Sequence, residues 1–166
     1  MDRIEEVRAA ANEYGKRSVE NMQLGEKLGR DIMAAFDKYL SPNGGLVIGV
    51  PPTGEWHERG DYNSAAFSFY HDGILSVRDT EFGMCVTVFE GRLWVRMTVK
   101  LQKEGERIAV FVDDGEAVWL PVAYAPGDLE QVCERLFKVL VGYYQGDVNV
   151  FVHGDEKHLT IGFAHK

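Results

Sequence analysis

The chain is poor in cysteine, with only Cys85 and Cys133 among 166 residues. A disulfide framework needs more thiols, and a structural zinc site needs paired Cys or His at short spacing. Both are therefore read as buried thiols. Long apolar runs are missing as well. The longest, residues 117–125, is interrupted by Pro121 and falls short of the roughly 18 residues a membrane span requires. The opening Met1-Asp2-Arg3-Ile4-Glu5-Glu6 has no basic stretch followed by an apolar one, so no signal peptide is read and a cytoplasmic location is expected. Basic residues are also scarce: 18 Lys and Arg face 26 Asp and Glu, a formal charge of −8. That excess would repel phosphates and excludes nucleic-acid binding through a broad basic surface.

Familiar catalytic motifs are absent. Gly49 and Gly54 have phosphate-loop spacing, but Glu55 and Trp56 follow where Lys and Ser or Thr would hold phosphate and magnesium. There is no dinucleotide-binding glycine fingerprint, no G-x-S-x-G elbow and no H-E-x-x-H. No cofactor and no resident metal are expected. What is present, 45 % hydrophobic and 11 % aromatic residues, suffices for one globular domain over residues 1–166.

Residues 3–40 read as helix. Ile4, Val7, Ala11, Tyr14, Ser18, Gly25, Leu28, Ile32, Ala35 and Tyr39 fall on one stripe. Gly15, Gly25 and Gly29 each cost about 1 kcal/mol relative to Ala in a helix, so the segment is open to a break near Gly15 or Gly25. The stripe has two uses: packing on the protein's own sheet, or a homodimer contact through the N-terminal helix. Ser41-Pro42-Asn43-Gly44-Gly45 then stops the helix.

Residues 46–122 read as an antiparallel meander. Strands are expected at 46–50, 65–71, 74–78, 84–89, 93–101, 108–112 and 117–122. Turns fall at Asp72-Gly73, Glu90-Gly91, Glu104-Gly105 and Asp114-Gly115. Leu93, Val95, Met97, Val99 and Leu101 alternate with Trp94, Arg96, Thr98 and Lys100, which predicts one buried and one wetter face. A second helix is expected over 128–145, with Asp128 as N-cap, Gln131 at capping-box spacing and Gly146 as its C-terminal cap. A closing hairpin is expected over 148–163, its strands at 148–153 and 158–163. The fold class is α+β: an N-terminal helical segment, an antiparallel β-meander, a second helix and a C-terminal β-hairpin in one domain. In element order alone it resembles small acidic secretion chaperones.

The loop 51–63 stands out. It has no strand or helix pattern, and it gathers Trp56, His57, Glu58, Arg59, Asp61 and Tyr62. Long structureless loops are uncommon in compact domains, and Trp, Tyr and Arg are frequent interface anchors. These six residues are the expected partner-binding site, set against the alternative that Trp56 and Tyr62 only fold the loop onto the core. Other groupings are weaker. His153 and His158 flank a turn with Asp155, but the spacing matches no zinc signature. His71-Asp72 sits at another turn. Asp113-Asp114-Gly115-Glu116 lacks the alternating ligands of a calcium loop. Asp79 and Glu81, beside Phe82 and Gly83, have no identifiable acid–base partner.

The charge is uneven. Residues 45–91 carry seven acids and two bases, so most of the acidic excess surrounds the aromatic loop. The expectation is a non-enzymatic acidic binding protein (inhibitor, immunity-type, adaptor or chaperone-like). It would engage a protein partner with a basic surface through loop 51–63, with no membrane and no direct nucleic-acid contact. The alternative is an enzyme or small-ligand binder using a pocket between sheet and helix.

Overall fold

The computed structural model describes residues 2–154 and the short strand at 164–165. Helix α1 runs unbroken over Arg3–Leu40. Glu5 and Glu6 lie in its first turn and Lys38 in its last, the signs that suit the helix dipole. The glycines do not break it because two of them are used for packing. A Cβ on Gly25 would meet the Thr80 side chain at 2.6 Å, and one on Gly29 would meet the Phe67 ring at 2.5 Å. Small residues thus let α1 lie close against side chains of the sheet. At its end, the Asp37 carboxylate accepts the N–H groups of Gly45, Leu46 and Val47 at 2.7–3.0 Å and fixes the turn into the first strand.

The strands are β1 (Val47–Val50), β2 (Phe67–Ser68), β3 (Tyr70–His71), β4 (Ile74–Leu75), β5 (Asp79–Phe89), β6 (Leu93–Glu104), β7 (Arg107–Val112), β8 (Val118–Pro121) and β9 (Ala164–His165). The main sheet is antiparallel, in the spatial order β1-β5-β6-β7-β8. β1 and β2 both pair with the long β5, and β9 pairs with β6 at Leu93 and Trp94. β3 and β4 form a separate ribbon about Asp72-Gly73, both at positive φ (51° and 77°) as a tight hairpin turn demands. Residues 63–66 are a 3₁₀ turn rather than the start of a strand. β5 begins at Asp79, so Asp79 and Glu81 lie within a strand.

The predicted alternation of β6 holds from Val95 to Leu101, whereas Trp94, expected on the wetter face, is buried in a small cluster with Val50 and Cys85 on the other side of the sheet, and Leu93 is only partly buried. Val95, Met97, Val99 and Leu101 are buried together with Phe82, Met84 and Val86 of β5 and Ile108, Val110 and Val112 of β7. This face packs against Leu28, Ile32 and Phe36 of α1 and, across the second helix, Val132, Cys133, Leu136 and Leu140. The molecule is α+β, with two helices on one face of an antiparallel sheet.

The second helix, α2, departs from expectation at both ends. It spans Glu130–His153, preceded by a 3₁₀ turn at Pro126–Leu129. Asp128 caps that turn instead: its carboxylate accepts the Ala125 N–H at 2.7 Å. Gly146 is helical, and Gly154, at φ 68°, is the C-terminal cap. The first arm of the expected hairpin, 148–153, is therefore the end of α2. Alternating Val148, Val150 and Val152 looked like a strand, but Tyr144, Val148 and Phe151 also satisfy helical spacing and the chain continues as helix. The second arm, 158–163, lies outside the described residues. Among those residues no helix is long and apolar enough to cross a membrane.

Candidate functional site

Loop 51–63 lies on the sheet face opposite the helices. Trp56 is half-buried and packs with Ile48 on a small cluster of Val50, Cys85 and Trp94. Tyr62 touches this cluster and the main core, and its hydroxyl accepts the His57 N–H at 3.0 Å, closing residues 57–62 into a small lobe. The Arg59 guanidinium sits 4.3 Å from the centre of the Tyr62 ring and pairs with Asp61 at 2.9 Å. Of the six expected binding residues, Trp56 and Tyr62 thus face inward, Glu58 is partly buried, and His57, Arg59 and Asp61 are exposed.

Strand β6 pins the start of this loop. Arg96 donates to the carbonyls of Pro51 (3.2 Å) and Gly54 (2.7 Å), and its guanidinium lies 5.8 Å from the centre of the Trp56 ring. Thr98 donates its hydroxyl to the Pro52 carbonyl at 3.3 Å. Both are polar members of the β6 alternation. Sequence reasoning placed them on the wetter face without seeing that they hold the loop.

Between this loop and the turn after β7 runs a groove of about 750 Å³ that opens to solvent. Pro52 and Thr53 form one wall, and Asp113, Asp114 and Gly115 the other. Its floor is the outer face of the sheet, where Glu81 stands opposite Lys100 in the β5–β6 register and Lys100 opposite Phe111 in the β6–β7 register. Val139 and Tyr143 of α2 close it with apolar surface. The lobe 56–62 does not line it. The groove thus escapes any local reading of the sequence, because its walls are about sixty residues apart.

The groove's charges are partly dehydrated. Burial lowers the pKa of Arg96. Asp113 is exposed as a residue, but its carboxyl turns down towards β6. Lost hydration raises its pKa, the Thr98 N–H (3.4 Å) offsets part of that, and Asp114 adds repulsion. Lys100 approaches Asp114 at 4.0 Å. Both Asp113 and Asp114 hold positive φ (49° and 59°), the backbone shape that aims this acidic turn.

The thiols are not activated. Burial, then Glu58, pushes Cys85 up to about 12, and burial, then Glu130, pushes Cys133 up to about 11, so both stay protonated near neutrality. Among the described residues no three His, Cys, Asp or Glu gather into a metal site. His153 ends α2, while His158 and Asp155 lie outside the described residues. His71 lies 3.6 Å from Asp72 on an exposed turn. The void between α1 and the sheet at Gly25 and Thr80 measures about 10 Å³, room for one water at most. The groove therefore offers hydrogen bonds, ion pairs and an apolar end wall. Comparison with protein-family models, with curated proteins and with solved structures yields no match.

Proposed function

We propose that the chain is a non-enzymatic binding protein that takes an extended segment of a protein partner into the groove between loop 51–54 and turn 113–115. The observation that carries this reading is the lining. Glu81, Lys100, Asp113 and Asp114 share the lining of an open channel of about 750 Å³ with Phe111, Val139 and Tyr143. Small molecules favour sites that bury most of their surface, whereas an open channel suits a chain that enters and leaves. Acidic groups outnumber basic ones in the lining, and residues 45–91 carry most of the acidic excess. Both features favour a partner with Lys and Arg around an apolar anchor.

A random peptide display library panned on the whole protein tests this. The expected enrichment is a basic motif with one large apolar residue, lost with Phe111→Glu. Phe111 is only partly buried on the outer face, so that variant keeps its fold, and circular dichroism checks this. Enrichment that survives Phe111→Glu would remove the groove from consideration.

A further inference from the structure

α1 is about 57 Å long at 1.5 Å per residue, and only its second half lies on the sheet. Every residue from Asp2 to Arg17 is exposed, and burial begins at Ser18. Near that point Asn21 donates to the Ser76 carbonyl at 3.1 Å, which ties the helix to the chain just after β4. The stripe that packs as Gly25, Leu28 and Ile32 continues N-terminally as Tyr14, Ala11, Val7 and Ile4, with Ile4 46 % and Val7 61 % exposed. A helical segment as short as residues 3–17 is marginal when isolated in water. The projecting half is held by its junction with the packed half and by exposed pairs such as Arg17 with Glu13 and Glu20.

The charges nearest the stripe are arginines, two of which already reach acids of their own helix: Arg8 pairs with Glu5, and Arg17 with Glu13 and Glu20. At about 100° per residue, Arg3 and Arg17 flank it on one side and Arg8 on the other. Glu5, Glu6, Glu13 and Glu20 fall towards the back. A second copy is a poor occupant for this surface. Parallel pairing sets Arg3 of one helix against Arg8 of the other. Antiparallel pairing that seats Val7 on Ala11 sets Arg8 against Arg8 and Arg3 against Arg17. Like charges at these flanking positions oppose association.

From this we infer that the projecting half of α1 docks an amphipathic helix of another protein whose apolar stripe is edged with Asp and Glu. The surface lies on α1 and is independent of the groove, so either assignment can fail alone.

The test uses the full chain and two synthetic helical peptides with the same Leu and Ile stripe, one edged with Glu and one with Lys, followed by fluorescence anisotropy. The Glu-edged peptide is expected to bind about threefold more tightly, since Arg8 and Arg17 exchange one acid for another and only Arg3 adds a new exposed pair. Combined Arg3→Glu, Arg8→Glu and Arg17→Glu is expected to reverse the preference, and Val7→Glu to abolish binding of both peptides. All four positions are exposed, so the packed domain persists in every variant, and circular dichroism checks that the projecting helix survives the loss of the Arg8 and Arg17 pairs. Equal binding of the two peptides, binding that survives Val7→Glu, or no binding at all would overturn the proposal. Sedimentation of the chain alone adds a further arm: a dimer dissolved by Val7→Glu would assign the stripe to a second copy instead.

Discussion

Replacing Gly25 by Ala should destabilise the protein although Ala is the better helix former. The added Cβ would lie 2.6 Å from Thr80 Oγ1, 2.7 Å from its Cγ2 and 2.9 Å from its Cβ. Thr80 is 1 % exposed and paired with Leu101 across β5 and β6, so its branched side chain cannot withdraw. Inserting a methyl group into such a contact costs about 1–3 kcal/mol, against which the helix gains about 1 kcal/mol on losing a glycine. Gly142→Ala is the control. Gly142 is also helical, and nothing lies within 4 Å of the site its Cβ would take. The propensity gain is common to both variants, so their difference isolates the packing penalty.

That difference of about 1–3 kcal/mol corresponds to a Tm separation of roughly 2–12 °C for a domain of this size. Urea unfolding followed by circular dichroism gives the free energies, and a scan gives Tm. Thr80→Ala removes two of the three clashing atoms, so the double variant Gly25→Ala, Thr80→Ala should be more stable than the sum of the single effects. If Gly25→Ala is as stable as Gly142→Ala, or the double variant shows no coupling, α1 does not rest on the sheet at this point.

Three further outcomes follow from other contacts. Val95 is fully buried opposite Val86. Val95→Asp places an unpaired charge in the core and should abolish cooperative unfolding; an unchanged Tm would invert the assignment of the sheet faces. Cys85 lies under Trp56, so thiol reagents should label neither cysteine in the native protein, while Trp56→Ala should expose Cys85 to labelling. Rapid labelling of Cys85 in the unaltered chain would show that the lobe does not rest on the sheet. The third outcome concerns acid. Burial raises the Asp31 pKa, but hydrogen bonds from Lys27 (2.8 Å) and Tyr124 (2.6 Å) outweigh it and leave it lowered. A folded pKa below the unfolded one, about 3.9, adds stability above that pH and loses it as pH falls through the folded value. Tyr124→Phe should weaken the protein at pH 7, by an amount that shrinks towards pH 3; a penalty independent of pH would remove Asp31 from the account.

The sheet was legible where one face of a strand is uniformly apolar, because a one-residue slip in β6 would exchange Val95 and Met97 for Arg96 and Thr98. The turns at Asp72-Gly73, Gly91 and Gly105 were legible through residues that tolerate positive φ, whereas at the last turn Asp113 and Asp114 take that conformation and Gly115 does not. The continuity of α1 was not, since glycine propensity argues for a break and only the facing Thr80 and Phe67 side chains explain why small residues are needed there. The end of α2 reads equally as strand, because Val148, Val150 and Val152 satisfy a period of two while Tyr144, Val148 and Phe151 satisfy helical spacing. Local sequence does not rank the two. At the site, aromatic content drew attention to residues 51–63. That Trp56 and Tyr62 pack inward, and that Arg96 and Thr98 hold the loop down, depends on strand register that no local pattern encodes.

Charge separates the two proposed surfaces more sharply than hydrophobicity does. The groove is lined by Glu81, Asp113 and Asp114 against Arg96 and Lys100, whereas the edges of the projecting α1 stripe carry Arg3, Arg8 and Arg17. A basic segment suited to the groove is repelled by those arginines, and a helix edged with acids gains nothing from the acidic loop side. On this proposal each surface would discriminate against the other's ligand. The α1 charges are exposed and in part paired along the helix, so binding there should fall as ionic strength rises and the screening length shortens below about 8–10 Å. The groove, with its dehydrated Arg96 and Asp113 and its apolar end wall, should hold its ligand better in the same titration. Equal salt slopes at the two surfaces would show that burial in the groove does not shield its charges.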